Sequence, residues 1–200
     1  LNKDMLNMFQ NIYANLDKAK TINEIMIAEA NARKSYYSIW KYIFKFDVKF
    51  DKRTKNPPRD LVNCLISFLN SILYALVNSE IHKTSLSPTI GFLHEAGLSK
   101  LPLSYDIAEI FKPLMVDRTL FSLINKKIIT EKDYEEDTFK LSKEAIKKIF
   151  YHFDNRINET IYHRQLKRNV SYRYLIRLEL YKIINDINDE KEYKPFVIWW

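Results

Sequence analysis

TINEIMIAEANARKSYYSIWKYIF, residues 21–44, carries apolar side chains at Ile22, Ile25, Met26, Ala32, Tyr36, Trp40 and Ile43. That recurrence lays one apolar stripe along an α-helix. A shorter amphipathic stretch precedes it, with Leu6, Phe9, Ile12, Tyr13 and Leu16. Residues 47–60 are charged, end in Pro57–Pro58 and read as a loop before a helix from Leu61 to about Asn78. Residues 85–100, which hold both glycines, form a second irregular segment. Ser104 is placed to cap a helix running through Asn125, with a kink where Pro113 removes a backbone hydrogen bond. A polar connector, 126–138, leads to helices near 142–158 and 171–187, each opened by a serine that can cap it.

Composition points the same way. At usual frequencies, about 7% of residues, a chain of this length would hold roughly 14 glycines, yet it has 2, Gly91 and Gly97. Helices dispense with glycine and tight β-turns do not. With 46% hydrophobic residues in 200, the chain can bury a real core. These features predict an all-α fold, a single helical domain over residues 1–200 with roughly seven to nine helices. The tail 193–200 carries Phe196 and Trp199–Trp200, side chains poorly suited to water, and should dock back on the body.

Lys+Arg 32 against Asp+Glu 25 gives a net charge of +7, which favours a polyanionic partner and is compatible with an ordinary basic enzyme. The single cysteine, Cys64, excludes an internal disulfide and points to a reducing, intracellular setting. The apolar run 61–77 is interrupted by Asn63, Ser67, Asn70 and Ser71 and reads as falling short of a membrane span; no signal peptide is visible. The chain begins at Leu1 rather than methionine, the pattern of a piece of a longer protein.

Four features could carry chemistry. Glu29 stands seven positions from both Ile22 and Tyr36, nearly two helical turns, so it shares their stripe and should be partly buried. A buried carboxylate needs a partner: Arg33, one turn on, or a metal ion. His94 lies between the two glycines, three residues from each, where a tight loop would present its imidazole in one direction; a hydrogen-bonded loop histidine is the alternative. Asp106 and Glu109 share a helix face, either complementing the helix dipole or flanking a cation. Oxygen ligands with one imidazole suit Mg²⁺ or Mn²⁺ better than structural zinc. Between Glu159 and Glu179 there is no acidic residue, while Arg164, Lys167, Arg168, Arg173 and Arg177 all fall inside the interval. Arg173 and Arg177 stack one turn apart and could hold successive phosphates; a solvated helix face is the alternative.

Read in order, AEANARKSYY (28–37), DLVNCLISFLNSILY (60–74), SPTIGFLHEAG (87–97), LSYDIAEIFKPLMVDR (103–118), KRNVSYRYLIRLE (167–179) and YKPFVIWW (193–200) resemble the CRISPR adaptation integrase family, in particular its type I-B form. The resemblance implies a metal site of Glu29, His94 and Glu109, with Asp106 as a neighbouring catalytic acid. It implies Mg²⁺ or Mn²⁺ as cofactor, and a β-rich domain ahead of this helical one. The implied activity is that of a DNA endonuclease and integrase: a 3′-hydroxyl of a foreign fragment attacks a phosphodiester at the CRISPR repeat, inserting a new spacer. The implied partners are those two DNAs, a second copy of the full-length chain and a small companion subunit, in a prokaryotic cytoplasm and away from any membrane. Ala30 departs from the family, which usually has glycine there; alanine suits a helix. The rival readings are a helical nucleic-acid-binding module whose acids are structural, and a domain inactive without the β-rich one.

Overall fold

The computed structural model describes residues 3–94 and 100–197, with all their side chains except those of 3–6 and 15. Gly97 and Trp199–Trp200 lie outside the described residues. Among the described residues there are α1 (Lys3–Lys18), α2 (Ile22–Ser38), α3 (Leu61–Ile81), α4 (Pro102–Lys112), α5 (Arg118–Asn125), α6 (Lys143–Asn158) and α7 (Tyr172–Ile187). The fold is all-α, as the sequence predicts.

Local chemistry explains most of the boundaries. Thr21 opens α2 with a capping box: its hydroxyl accepts from the Glu24 N–H at 3.2 Å, and the Glu24 carboxylate accepts from the Thr21 N–H at 3.0 Å. The predicted helix 21–44 stops at Ser38 and tightens into a 3₁₀ turn, Trp40–Tyr42, as fully buried Trp40 turns into a cluster with Tyr37 and Phe121. Ser142 and Ser171 cap α6 and α7 through the N–H groups of Ala145 and Tyr174, both at 3.2 Å. Ser104 is not a cap. Pro102 starts α4 at its first position, where a missing N–H costs nothing, and Ser104 lies buried one turn inside. At Pro113 the helix widens into a five-residue π turn, Pro113–Asp117, instead of breaking, and runs on into α5.

Among the described residues, two short antiparallel hairpins decorate the helices. The first pairs β1 (Tyr134–Glu135) with β2 (Lys140–Leu141), and the second pairs β3 (Thr160–His163) with β4 (Arg168–Ser171), His163 opposite Arg168. The second occupies residues 160–171 of the interval free of acidic residues, 160–178.

α3 is the central helix, packed by α4, α5 and α7. Its Leu65, Leu69 and Leu73 are fully buried with Phe111, Met115, Leu120 and Ile176 in one continuous core. By length and hydropathy Leu61–Ile81 would suffice to cross a membrane, contrary to the sequence reading. In the fold the polar residues at its start are spent internally: Asp60 caps it through the Asn63 N–H at 2.7 Å, and the buried Asn63 amide binds the backbone at Lys52 and Thr54, pinning the preceding loop. The tail docks as predicted through its described part. Tyr193 Oη donates to Glu179 at 2.6 Å, the Phe196 N–H donates to the same oxygen at 2.9 Å, and the Phe196 ring stacks on Phe111.

Candidate metal and DNA site

One face of α2 lines an open cavity. The first part of the predicted stripe stays out of the core, with Ile22 and Met26 46% and 39% exposed, whereas its far end enters it: Trp40 is fully buried and Tyr36 packs against the core. Met26, Glu29, Arg33 and Tyr37 line a cavity of about 530 Å³, completed by Arg53 and Lys55 of the pinned loop, Asn70 and Tyr74 of α3, His94, and Glu109 and Lys112 of α4. Three residues distant in sequence, Glu29, His94 and Glu109, thus share one cavity.

His94 is held by Asp106, whose side chain is only 6% exposed. One carboxylate oxygen accepts from Nδ1 of His94 at 2.6 Å and from the His94 N–H at 3.2 Å; the other accepts from the N–H groups of Phe92 at 2.5 Å and Leu93 at 3.2 Å. An ionised carboxylate only accepts, so it keeps the imidazole proton on Nδ1 and leaves the Nε2 lone pair for a ligand. Asp106 is therefore spent on positioning. Gly91 is needed for close approach: a Cβ there would come within 2.8 Å of Asp106 Oδ2, Pro102 Cβ and the His94 carbonyl oxygen.

The acids are paired with cations. Arg33 Nη2 donates to Glu29 Oε1 at 3.2 Å and also to Glu109 Oε2, while Lys112 donates to Glu109 Oε1. Burial works against the Arg33 charge, but Glu109 above all, then Tyr37 and Glu29, hold its pKa above the ordinary value. Burial, reinforced by Glu109, pushes the Tyr74 phenol up, so it stays protonated on the cavity wall. Behind the cavity, Asp117 is buried and its pKa is pushed up to about 6 by that burial, against a hydrogen bond from Tyr36 and the charges of Arg33 and Lys112. Among the described residues, no three His, Cys, Asp or Glu side chains stand together as a preformed cage for an ion. The donor set of two carboxylates and an imidazole fits a hard divalent cation, with Arg33 lying between the carboxylates.

The five basic candidates separate into two groups. Arg164, Lys167 and Arg168 lie on the β3–β4 hairpin, Lys167 at φ 50° in its turn and the Arg168 guanidinium 5.4 Å from the Tyr174 ring centre. Arg173 and Arg177 do stack along α7, but they turn inward to Glu80 of α3, which is 0% exposed. Arg177 reaches it at 2.7 Å and 2.8 Å, Lys83 at 2.7 Å and Arg173 at 3.8 Å. Burial would raise the Glu80 pKa, yet Lys83 and Arg177 hold it below the usual carboxylate value. The sequence reading missed Glu80, although a lone glutamate closing the apolar run of α3 signals a buried ion pair. It also missed Lys112, three residues after Glu109 on the same helix face.

The sequence signature described as "CRISPR associated protein Cas1" matches residues 2–155. The chain belongs to the Cas1 family. The "CRISPR-associated endonuclease Cas1" of Clostridium perfringens is 47% identical over 190 residues, covering 92% of this chain and 58% of that protein. The protein of the same name from Fusobacterium nucleatum is 42% identical over 197 residues, covering 98% and 58%. The solved "CAS1 protein from Thermotoga maritima" superposes with a TM-score of 0.86 at 37% identity, covering 91% of this chain and 58% of that one. The chain thus spans about 58% of the length of these Cas1 relatives.

Proposed function

We propose that this chain is the helical catalytic part of a Cas1 DNA endonuclease and integrase, with Glu29, His94 and Glu109 as ligands of one Mg²⁺ or Mn²⁺ ion. The observation that carries the reading is the convergence of these three residues, from α2, a loop and α4, on one cavity that also holds Arg33, Lys55 and Lys112. A bound divalent cation would stabilise charge on phosphoryl oxygens and lower the pKa of an attacking hydroxyl. The protein's own contribution is orientation and charge. Asp106 fixes the histidine tautomer, and Lys112 and Arg33 supply positive potential to a phosphate at the cavity mouth.

In the integrase reaction the 3′-hydroxyl oxygen of a foreign DNA fragment bonds to a repeat phosphorus, the bond to the repeat's own 3′ oxygen breaks, and the displaced oxygen takes up a proton. The number of phosphodiesters is unchanged, so no external energy source is needed; water in place of the hydroxyl gives nicking. The hairpin residues Arg164, Lys167 and Arg168 are the proposed DNA grip. Arg173 and Arg177 serve it indirectly, by joining α7 to α3 through Glu80. A second copy of the full-length protein and the small companion subunit are the proposed protein partners, in a prokaryotic cytoplasm.

A second reading, a nucleic-acid-binding module with structural acids, draws on the same Arg33 and Lys112 pairings that satisfy Glu29 and Glu109. Alanine at His94 or Glu109 separates the two. The catalytic reading expects nicking and strand transfer to disappear while DNA affinity stays within about threefold, less than 1 kcal/mol. Loss of DNA binding in a folded variant favours the binding module. Activity that appears only when the remaining length found in the relatives is supplied assigns part of the catalytic assembly there.

A further inference from the structure

A single guanidinium bridges two of the proposed metal ligands. Arg33 Nη2 donates to Glu29 Oε1 at 3.2 Å and also to Glu109 Oε2, and Lys112 holds the other Glu109 oxygen. The formal charges of these four side chains cancel. A divalent ion entering while Arg33 stayed in place would add two positive charges to a neutral, half-buried cluster, and low polarity makes that costly. Arginine cannot escape the conflict by losing a proton. It can escape by moving, because its side chain is 31% exposed and lines the cavity rather than the core.

Resting on the metal reading above, we infer that Arg33 is a displaceable counter-ion. It fills the gap between Glu29 and Glu109 in the metal-free protein and leaves when the cation arrives. From its fixed backbone position on α2, the released guanidinium turns to a DNA phosphate entering the same cavity. Two consequences follow from that exchange. Metal loading is held down while no DNA is present, and metal and DNA strengthen each other's binding by equal factors. Arg33 is in this sense a positioning residue for the metal and a phosphate contact once released.

The test is a Mn²⁺ titration of the chain without DNA, read by the electron paramagnetic resonance of free Mn²⁺, for the natural protein and for Arg33→Gln. The variant is expected to bind Mn²⁺ roughly tenfold more tightly, the value of about one charge-assisted hydrogen bond. Short duplex DNA is expected to tighten Mn²⁺ binding in the natural protein and to do so less in the variant. Equal or weaker Mn²⁺ binding by Arg33→Gln overturns the inference while leaving the metal site standing. Absence of binding by both forms at millimolar Mn²⁺ brings down the metal reading and this inference with it. Should the variant fail to fold, the natural protein still decides: the Arg33 Nε–Hε nuclear magnetic resonance must shift as Mg²⁺ saturates, and an unmoved signal overturns the inference.

Discussion

Replacing Asp106 with asparagine probes how the loop and the imidazole are held. The carboxylate accepts four hydrogen bonds, two on each oxygen, from Phe92, Leu93 and twice from His94. An amide keeps one accepting oxygen and turns donors toward the other pair. At about 1.5–3 kcal/mol for a hydrogen bond to a charged group, two lost bonds would cost about 3–6 kcal/mol. The loop is partly exposed and its freed N–H groups can reach water, so the lower end, about 3 kcal/mol, is expected. If the amide keeps its oxygen toward His94, opening of the Phe92 and Leu93 amides becomes roughly 150-fold more frequent. If it turns its nitrogen there, the imidazole proton moves to Nε2 and metal binding fails. Amide hydrogen exchange reads the first case and the ¹⁵N shifts of the His94 ring read the second. Unchanged protection at Phe92 and Leu93, together with an unchanged tautomer, refutes this account of Asp106.

Two further predictions concern the scaffold. Glu80→Gln leaves three cations around a neutral amide; because they are 28–43% exposed and can rehydrate, thermal unfolding should show a loss near the low end of the range for broken buried pairs, about 3 kcal/mol. An unchanged midpoint removes Arg173 and Arg177 from their structural role. Asp117 has a pKa raised from 3.8 to about 6, so the folded state holds its proton more tightly than the unfolded state. Its contribution to stability is therefore best at low pH and falls as pH rises from about 4 to about 6. Asp117→Asn should flatten denaturation midpoints across that window and stabilise the protein above it; a wild-type pH profile in the variant contradicts the assignment.

The helical fold was legible because its evidence is local. Stripes at helical spacing, and the serines at 142 and 171, depend on neighbours a turn away. The β3–β4 hairpin was hidden because its turn uses Lys167 at φ 50° in place of glycine, and the β1–β2 turn likewise uses Phe139 at φ 56°. Scarcity of glycine argued against turns that the chain makes with other residues. Ser104 misled because a proline two positions earlier could begin the helix without a side-chain cap.

The candidate site was readable as far as awkward residues reveal it. Glu29 interrupts an apolar stripe and His94 sits beside Gly91, and both line the cavity. The stripe itself divides, Met26 and Glu29 facing that cavity and Trp40 the core, a distinction periodicity cannot make. Arg53 and Lys55 reach the cavity through a loop pinned by Asn63, a long-range arrangement with no spacing signature. The inward turn of Arg173 and Arg177 is likewise decided by Glu80, on another helix.

The central claim is most directly tested by the anomalous scattering of crystals soaked in Mn²⁺. The account predicts one peak bounded by Glu29, Nε2 of His94 and Glu109, with Arg33 withdrawn from between the carboxylates. Ordered side chains with no peak at saturating Mn²⁺, and Arg33 still bridging Glu29 and Glu109, would contradict it.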